Sequence, residues 1–387
     1  MKLIIKLLIG IVAGIVIGLV ATQLPSAVME TVVTFQMIFG QFLGFIIPFV
    51  ILFFITSGVA SMGADSGKTL GLSAGIAYIS SVLAGVLSFV IALIVLPLFI
   101  TESQPNVGEE SGFSPLFELE IDPALGVITA LVMAFVFGIG IARTESPTLK
   151  RFFDEGKTII EKLLWNVVIP LLPFYIASIF AEMAADGTVW ETLASFALVL
   201  ILAIGTHWIY LLGTFTTAGA VTGRNPFTSI KNMLPAYFTG LGTMSSAATI
   251  PVTVEAAKKN NVRHSMAETV IPLGANIHLA GSTITIVMAA TTVMMMFGDL
   301  ATPTFANMLP FIFALAVIMI AAPGVPGGAV IASLGLLTTM LGFTEAAVGI
   351  MIALYMAQDS FGTATNVTGD GAIAMLVDRF VHGKNRG

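Results

Sequence analysis

The chain has 387 residues, of which 57% are hydrophobic and 10% charged, and its formal net charge is −6. Soluble domains carry about 25% charged residues, so this composition describes a polytopic helical membrane protein and excludes a large water-soluble core. With no cysteine there is no disulfide framework and no thiolate nucleophile or metal site. The apolar runs are continuous and do not alternate, which excludes an outer-membrane barrel.

In chain order, the opening run MKLIIKLLIGIVAGIVIGLVATQL is too long for the apolar part of a signal peptide and precedes no A-x-A-like site. It reads as an uncleaved first span over 3–24. Further stretches of spanning length lie at 34–62, 69–100, 123–143, 163–184, 189–221, 265–297 and 343–377. Two others, 226–257 and 302–341, are apolar but interrupted. The first is broken by Gly240, Gly242 and Met244-Ser245-Ser246-Ala247-Ala248, the second by Pro323-Gly324-Val325-Pro326-Gly327-Gly328. The arm after each break has only about 9–14 residues, a re-entrant length. Both are read as helical hairpins that enter and leave on one side, which leaves eight transmembrane helices.

Charge supports this topology. With the N-terminus in the cytoplasm, all 16 basic residues fall on the inner side, while the outer loop 101–122 carries six acids and no base. Both termini are then cytoplasmic. Counting each hairpin as two full spans gives the same parity, and the short arms favour re-entry. Topology accounts for the basic residues, so no nucleic-acid patch is left over. Irregular backbone at membrane depth must be buried in protein or line a cavity. A span followed by a hairpin (189–221, 226–257) is echoed from the opposite side by a second span and hairpin (265–297, 302–341). Such inverted repeats place binding sites at broken helices near the midplane.

The last span carries the strongest chemical signal. Residues 265–378 contain no lysine or arginine, yet this span holds Asp359, Thr363, Asn366 and Asp370. On a helix, Asn366 and Asp370 fall within about 20° of Asp359, with Thr363 about 40° away. Buried carboxylates with no basic partner nearby in sequence call for a cation from outside, and by default they mark an ion or substrate path. Two other segments carry polar groups at depth. Ser245 and Ser246 at the first hairpin tip suit an anionic group at a half-helix N-terminus. Taken alone, they fit small-residue packing equally well. In Pro272-Leu273-Gly274-Ala275-Asn276-Ile277-His278-Leu279-Ala280-Gly281-Ser282, the small residues with Asn276 and His278 suggest an unwound section whose carbonyls could hold a cation. A lone histidine in an apolar helix is more often structural. Ser80 and Ser81 on their own are ordinary membrane-helix serines.

Four motifs together resemble the dicarboxylate/amino acid:cation symporter family, the relatives of glutamate transporters. They are Ser245-Ser246-Ala247-Ala248-Thr249-Ile250-Pro251, Pro272-Leu273-Gly274-Ala275, Gly324-Val325-Pro326-Gly327 and Asn366-Val367-Thr368-Gly369-Asp370. The resemblance covers essentially the whole chain. It implies a homotrimer in the inner (plasma) membrane, surrounded by lipid and working as an elevator. Residues 1–62 and 123–184 would form a static scaffold, 63–101 and 185–387 a mobile transport domain, and 102–122 an extracellular loop. The second hairpin, around Val325, would be the gate. Asp359 would pair with the substrate ammonium, Asn366 and the tip around Ser246 would bind its carboxylate, and Ser282 would face its side chain, beside Thr363. Asp370, Asn366 and the carbonyl of Gly274 would hold one sodium ion. Second-hairpin carbonyls with Asn276 and Leu279 would hold another.

Departures from the family pattern refine the expectation. Acidic-substrate members carry an arginine where this chain has Gly362 or Met244, so a substrate side-chain carboxylate here would be buried unpaired, at a cost of several kcal/mol. A neutral amino acid, such as serine, threonine or alanine, is expected instead, with Gly362 leaving room for its side chain. The usual Asn-Met-Asp-Gly-Thr reads His278-Leu279-Ala280-Gly281-Ser282, so Ala280 replaces an aspartate that helps form a third sodium site in the family and His278 replaces an adjacent ligand; His278, Ser80 and Ser81 are kept as candidate cation-site residues. One or two sodium ions per cycle are expected. Histidine as a residue type is the usual carrier of protons near physiological pH, so His278 leaves proton coupling open, and a proton-coupled amino acid or dicarboxylate symporter of the same fold is the alternative. An ion channel is the competing class, although its pore would be lined continuously. An intramembrane hydrolase using Ser246 with Asp370 or His278 has no nucleophile elbow to support it, so no enzymatic activity is expected.

Overall fold

The computed structural model describes residues 2–61, 68–100, 113–322 and 326–383, and no strand occurs among them. The helices are α1 (Lys2–Leu19), α2 (Ser26–Ser61), α3 (Lys68–Val95), α4 (Val127–Thr144), α5 (Pro147–Leu163), α6 (Ile169–Ala185) and α7 (Val189–Thr222). They continue with α8 (Pro226–Thr243), α9 (Ser246–Lys259), α10 (His264–Ile277), α11 (Ala280–Met296), α12 (Phe305–Ile318), α13 (Gly328–Leu341) and α14 (Glu345–His382). Six described stretches are long and apolar enough to cross a membrane, among them α2, α4 and the combined α10–α11; the Ile5–Leu19 part of α1 is shorter.

Burial separates peripheral helices from central ones. In the most apolar window of His264–Met296, 94% of residues are inside the protein, against 28% for Val127–Thr144. Nearly every residue of α14 from Ala347 to Asp378 is buried. This helix joins two apolar cores: its first half packs with α2, α6, α11 and α13, its second with α7, α8 and α10. A polar stripe on α14 is therefore enclosed by protein on all sides and not turned toward lipid.

Close helix approach relies on small residues. Gly10, Gly14 and Gly18 recur every four residues on α1, and a Cβ at each would strike the α6 backbone at Pro173, Ala177 and Ala181. Without side chains between them the two backbones meet directly, the usual source of membrane helix affinity.

Several boundaries differ from the sequence reading. The segment between the fourth and fifth spans, expected as a basic inner loop, is the amphipathic helix α5. Ser146 caps it by accepting from Leu149 N at 3.4 Å, and Pro147 opens it. Lys150 pairs with Asp154 and Arg151 with Glu155, each at 2.7 Å and i,i+4 spacing. α5 runs into α6 through a π-helical turn, Leu164–Val168, just where Pro170 and Pro173 withhold N–H groups from the ladder. The second span starts earlier than 34, at Ser26 directly after Pro25, the first ends at Leu19, and the last continues to His382. Gly240 and Gly242, read as part of a break, lie inside α8. Gly240 serves contact: a Cβ there would sit 2.9 Å from Val367 Cγ2 and 3.1 Å from Ala364 Cα on α14.

Candidate functional site

α8 stops at Met244, which takes the left-handed conformation (φ 54°), and the chain doubles back into α9. Asn232 near the start of α8 bonds Lys259 O and Asn260 Oδ1 at the end of α9, at 3.3 and 2.8 Å, so the two helices form a closed hairpin. Ser245 is the N-cap of α9 and accepts from Ala248 N at 3.3 Å. The first turn of α9, at Ser246, thus directs free N–H groups and the positive end of its dipole toward the space beyond the tip.

α10 and α11 form one interrupted helix, as expected for 265–297. His278 (φ −118°, ψ 87°) and Leu279 (φ −110°, ψ 47°) are unwound between them. The peptide that follows is held from both sides. Asn366 Oδ1 accepts from Gly281 N at 2.8 Å and Ser282 N at 3.3 Å, while His207 Nε2 on α7 lies 3.0 Å from Gly281 O. A carbonyl only accepts, so the Nε2 hydrogen of His207 is the donor.

These breaks meet the α14 stripe around a small cavity of about 40 Å³, lined by Met244, Ser245 and Ser246, by Ala275, Leu279 and Ser282, by Ala322 and Ala329, and by Tyr355, Asp359, Thr363 and Asn366. At roughly 10–15 Å³ per water this is room for about three waters. No lysine or arginine is among the described lining residues. Asp359, 4% exposed, accepts from Gly327 N at 2.9 Å, which ties the start of α13 over the cavity. Gly327 is obligatory there: its φ is +74°, and a Cβ would lie 2.6 Å from Met356 Sδ.

A second cluster lies one helical turn beyond Asn366. Asp370 Oδ1 is 2.9 Å from His278 Nδ1, and both residues are at most 1% exposed. His278 Nε2 faces Tyr210 Oη at 3.1 Å and Ser80 Oγ at 3.2 Å, and those hydroxyls are 2.6 Å apart. Asp370 Oδ2, Ser81 Oγ and Thr368 Oγ1 are buried with no partner among the described residues. A Cβ on Gly274 would be 2.7 Å from Asp370 Oδ1, so the α10 backbone passes directly against the carboxylate.

Of the residues singled out in the sequence, Ser245, Ser246, Leu279, Ser282, Asp359, Thr363 and Asn366 share the cavity. Gly362 sits beside it, a Cβ there lying 3.5 Å from Ser282 N. Gly274, His278, Ser80 and Asp370 form the second cluster, with Ser81 buried on the same helix as Ser80. Val325 lies outside the described residues. The Asn276 side chain is exposed and bonds Pro272 O at 2.9 Å, away from both clusters. Sequence reasoning passed over Tyr355, Tyr210 and His207. Tyr355 extends the stripe one turn before Asp359, and His207 and Tyr210 are polar residues three apart in an apolar span, so both signals were present.

A model of the Sodium:dicarboxylate symporter family matches residues 3–380. The chain is 31% identical over 261 residues to excitatory amino acid transporter 1 of Ambystoma tigrinum, covering 66% of this chain and 47% of that protein. It is 30% identical over 258 residues to the serine/threonine transporter SstT of Acinetobacter baumannii (64% and 62% covered), and 23% identical over 267 residues to the neutral amino acid transporter B(0) of Oryctolagus cuniculus (67% and 48% covered). Its match thus spans about half the length of the animal relatives. With a family match that runs over nearly its whole length, the chain belongs to the sodium:dicarboxylate symporter family.

Proposed function

We propose that this chain is a sodium-coupled symporter of a small neutral amino acid, bound in the cavity between the α8–α9 tip, the 278–279 break and α14. The observation that carries this reading is the convergence of two interrupted helices and the acidic stripe on one small cavity whose described lining offers a carboxylate but no base. The substrate ammonium would displace Gly327 N–H from Asp359, and its carboxylate would meet the α9 N-terminus and the second Nδ2 hydrogen of Asn366. A substrate with a second carboxylate would bury it unpaired. The relatives named for serine/threonine and neutral amino acid transport agree with a neutral cargo.

Sodium is cargo as well. Asp370 Oδ2, which has no partner among the described residues, would take one ion with the carbonyl of Gly274 and Asn366. Leu279 and second-hairpin carbonyls would take another, and Asn276, its side chain tied to Pro272 O, would add only its main chain. Release of Asp359 from Gly327 gives the second hairpin, around Val325, its role as gate. In this reading α1, α2 and α4–α6 are the scaffold and α3 with α7–α14 the moving domain of a trimer in the plasma membrane, with cytoplasmic termini. One observation favours a second reading, coupling to protons. His278 bridges Asp370 to the Ser80–Tyr210 hydroxyl pair, and these hydroxyls can donate to a neutral imidazole or accept from a charged one.

Uptake into proteoliposomes separates these readings. Labelled serine, alanine or valine should accumulate with an inward sodium gradient and stop when choline replaces sodium at constant pH. Uptake that persists on a pH gradient alone would move the assignment to protons. Faster transport of aspartate than of all three would refute a neutral cargo.

A further inference from the structure

We propose that Tyr355 is a specificity-determining residue: with Asn366 it holds Ser282 as a pure hydrogen-bond donor toward the cavity, so that the site favours an amino acid with a β-carbon hydroxyl over an aliphatic one of equal size. This rests on the cavity being the cargo site.

The assignment follows from counting donors and acceptors. Gly281 N and Ser282 N both donate to Asn366 Oδ1, at 2.8 and 3.3 Å, which fixes the orientation of that amide. Asn366 Nδ2 therefore faces Ser282 Oγ, at 3.1 Å, and can only donate to it. Tyr355 Oη donates to the same oxygen, also at 3.1 Å. A serine hydroxyl has two acceptor lone pairs and one O–H, so with Tyr355 donating here at 3.1 Å in preference to the neighbouring Asp359 carboxylate, both lone pairs of Ser282 are taken.

Its O–H has no acceptor among the described contacts. Helical serines and threonines commonly return the hydroxyl to the carbonyl four residues back, as Thr283 does to Leu279 O at 3.0 Å and Thr285 to Gly281 O at 3.2 Å. Ser282 makes no such bond among the described contacts. It is 2% exposed and lines the cavity, so its proton is left for whatever fills that space. A buried donor without an acceptor is penalised far more than a made bond is rewarded. A serine or threonine side chain supplies the acceptor; an alkyl side chain leaves the donor bare. The sequence shows only two polar residues 73 positions apart.

Serine and 2-aminobutyrate, in which a methyl replaces the hydroxyl, isolate this effect. Their binding to the purified full chain in lipid nanodiscs is measured by calorimetry at saturating sodium. The wild type should prefer serine by roughly tenfold. Tyr355→Phe frees one lone pair and lets the Ser282 hydroxyl swing back toward its own helix, so the preference should fall below about threefold. Ser282→Ala should bring it near unity. Because the readout is a ratio, a general loss of affinity does not imitate it. Equal binding of the two ligands by the wild type overturns the proposal, and needs no variant. An unchanged ratio in Tyr355→Phe removes Tyr355 from it. If both ligands bind only with sodium but without preference, the transport reading stands and the specificity assignment fails. If neither binds, the transport reading fails and takes the assignment with it.

Discussion

Replacing Asp359 by asparagine isolates the charge of the cavity from its shape. The side chain is 4% exposed, and Oδ2 accepts from Gly327 N at 2.9 Å. Asparagine keeps an oxygen for that bond but no charge for a substrate ammonium. Removing one partner of a buried ion pair costs about 3–5 kcal/mol, or roughly a hundred- to a few-thousandfold in affinity at about 1.4 kcal/mol per decade. The empty protein should not suffer, since the substitution takes an uncompensated charge out of a buried site, and its melting temperature should stay level or rise. Calorimetric titration with serine measures the loss, and glycerate, with a hydroxyl in place of the ammonium, is the control. Asp359→Asn should weaken serine by at least a hundredfold while changing glycerate by less than fivefold. Serine affinity within fivefold of wild type would refute the pairing, and equal losses for both ligands would show collapse of the cavity instead.

Three further substitutions test other parts of the structure. Gly274→Ala places a Cβ 2.7 Å from Asp370 Oδ1 and 2.9 Å from Cγ, so the carboxylate must leave its 2.9 Å contact with His278. Disturbing a buried hydrogen bond by about 1–3 kcal/mol should raise the sodium concentration for half-maximal serine binding about tenfold. Asn276→Ala should leave sodium affinity within about twofold and stability within about 0.5 kcal/mol, because an exposed side chain bonded to its own helix holds no ion. A tenfold loss in the same titration would restore the side chain as a ligand. Gly14→Val would drive its Cβ into the backbone of Ala177 on α6 and should cost about 1–3 kcal/mol, seen as a lower melting temperature in detergent.

Much of the site was readable from spacing. The stripe Asp359–Asn366–Asp370 follows from helical periodicity, and α14 keeps it on one enclosed face. The polar run at 274–282 announced the break that the structure puts at His278–Leu279, and the serines at 245–246 announced the tip. Glycine misled at 240 and 242, where it was taken for a chain break. Within α8 the missing side chain of Gly240 lets α14 approach, a packing role that sequence cannot tell from a conformational one, while a Cβ on Gly242 would meet nothing within 4 Å. The charged segment before α6 was read as a loop, although Ser146-Pro147 and the i,i+4 ion pairs marked a helix. Partnerships between distant helices left no local trace. His278 meets Ser80 across 198 residues and Tyr210 across 68, and only the folded arrangement reveals that hydroxyls fill this corner.

The central claim is that a coupling cation must settle the Asp370 carboxylate, whose Oδ2 is buried with no partner among the described residues, before cargo is held. Serine affinity measured across a sodium titration at constant pH, in the wild type and in Asp370→Asn, tests it directly. The wild-type affinity should climb steeply with sodium, and in Asp370→Asn that climb should flatten. An equally steep climb in the variant, at unchanged serine affinity, would contradict the account.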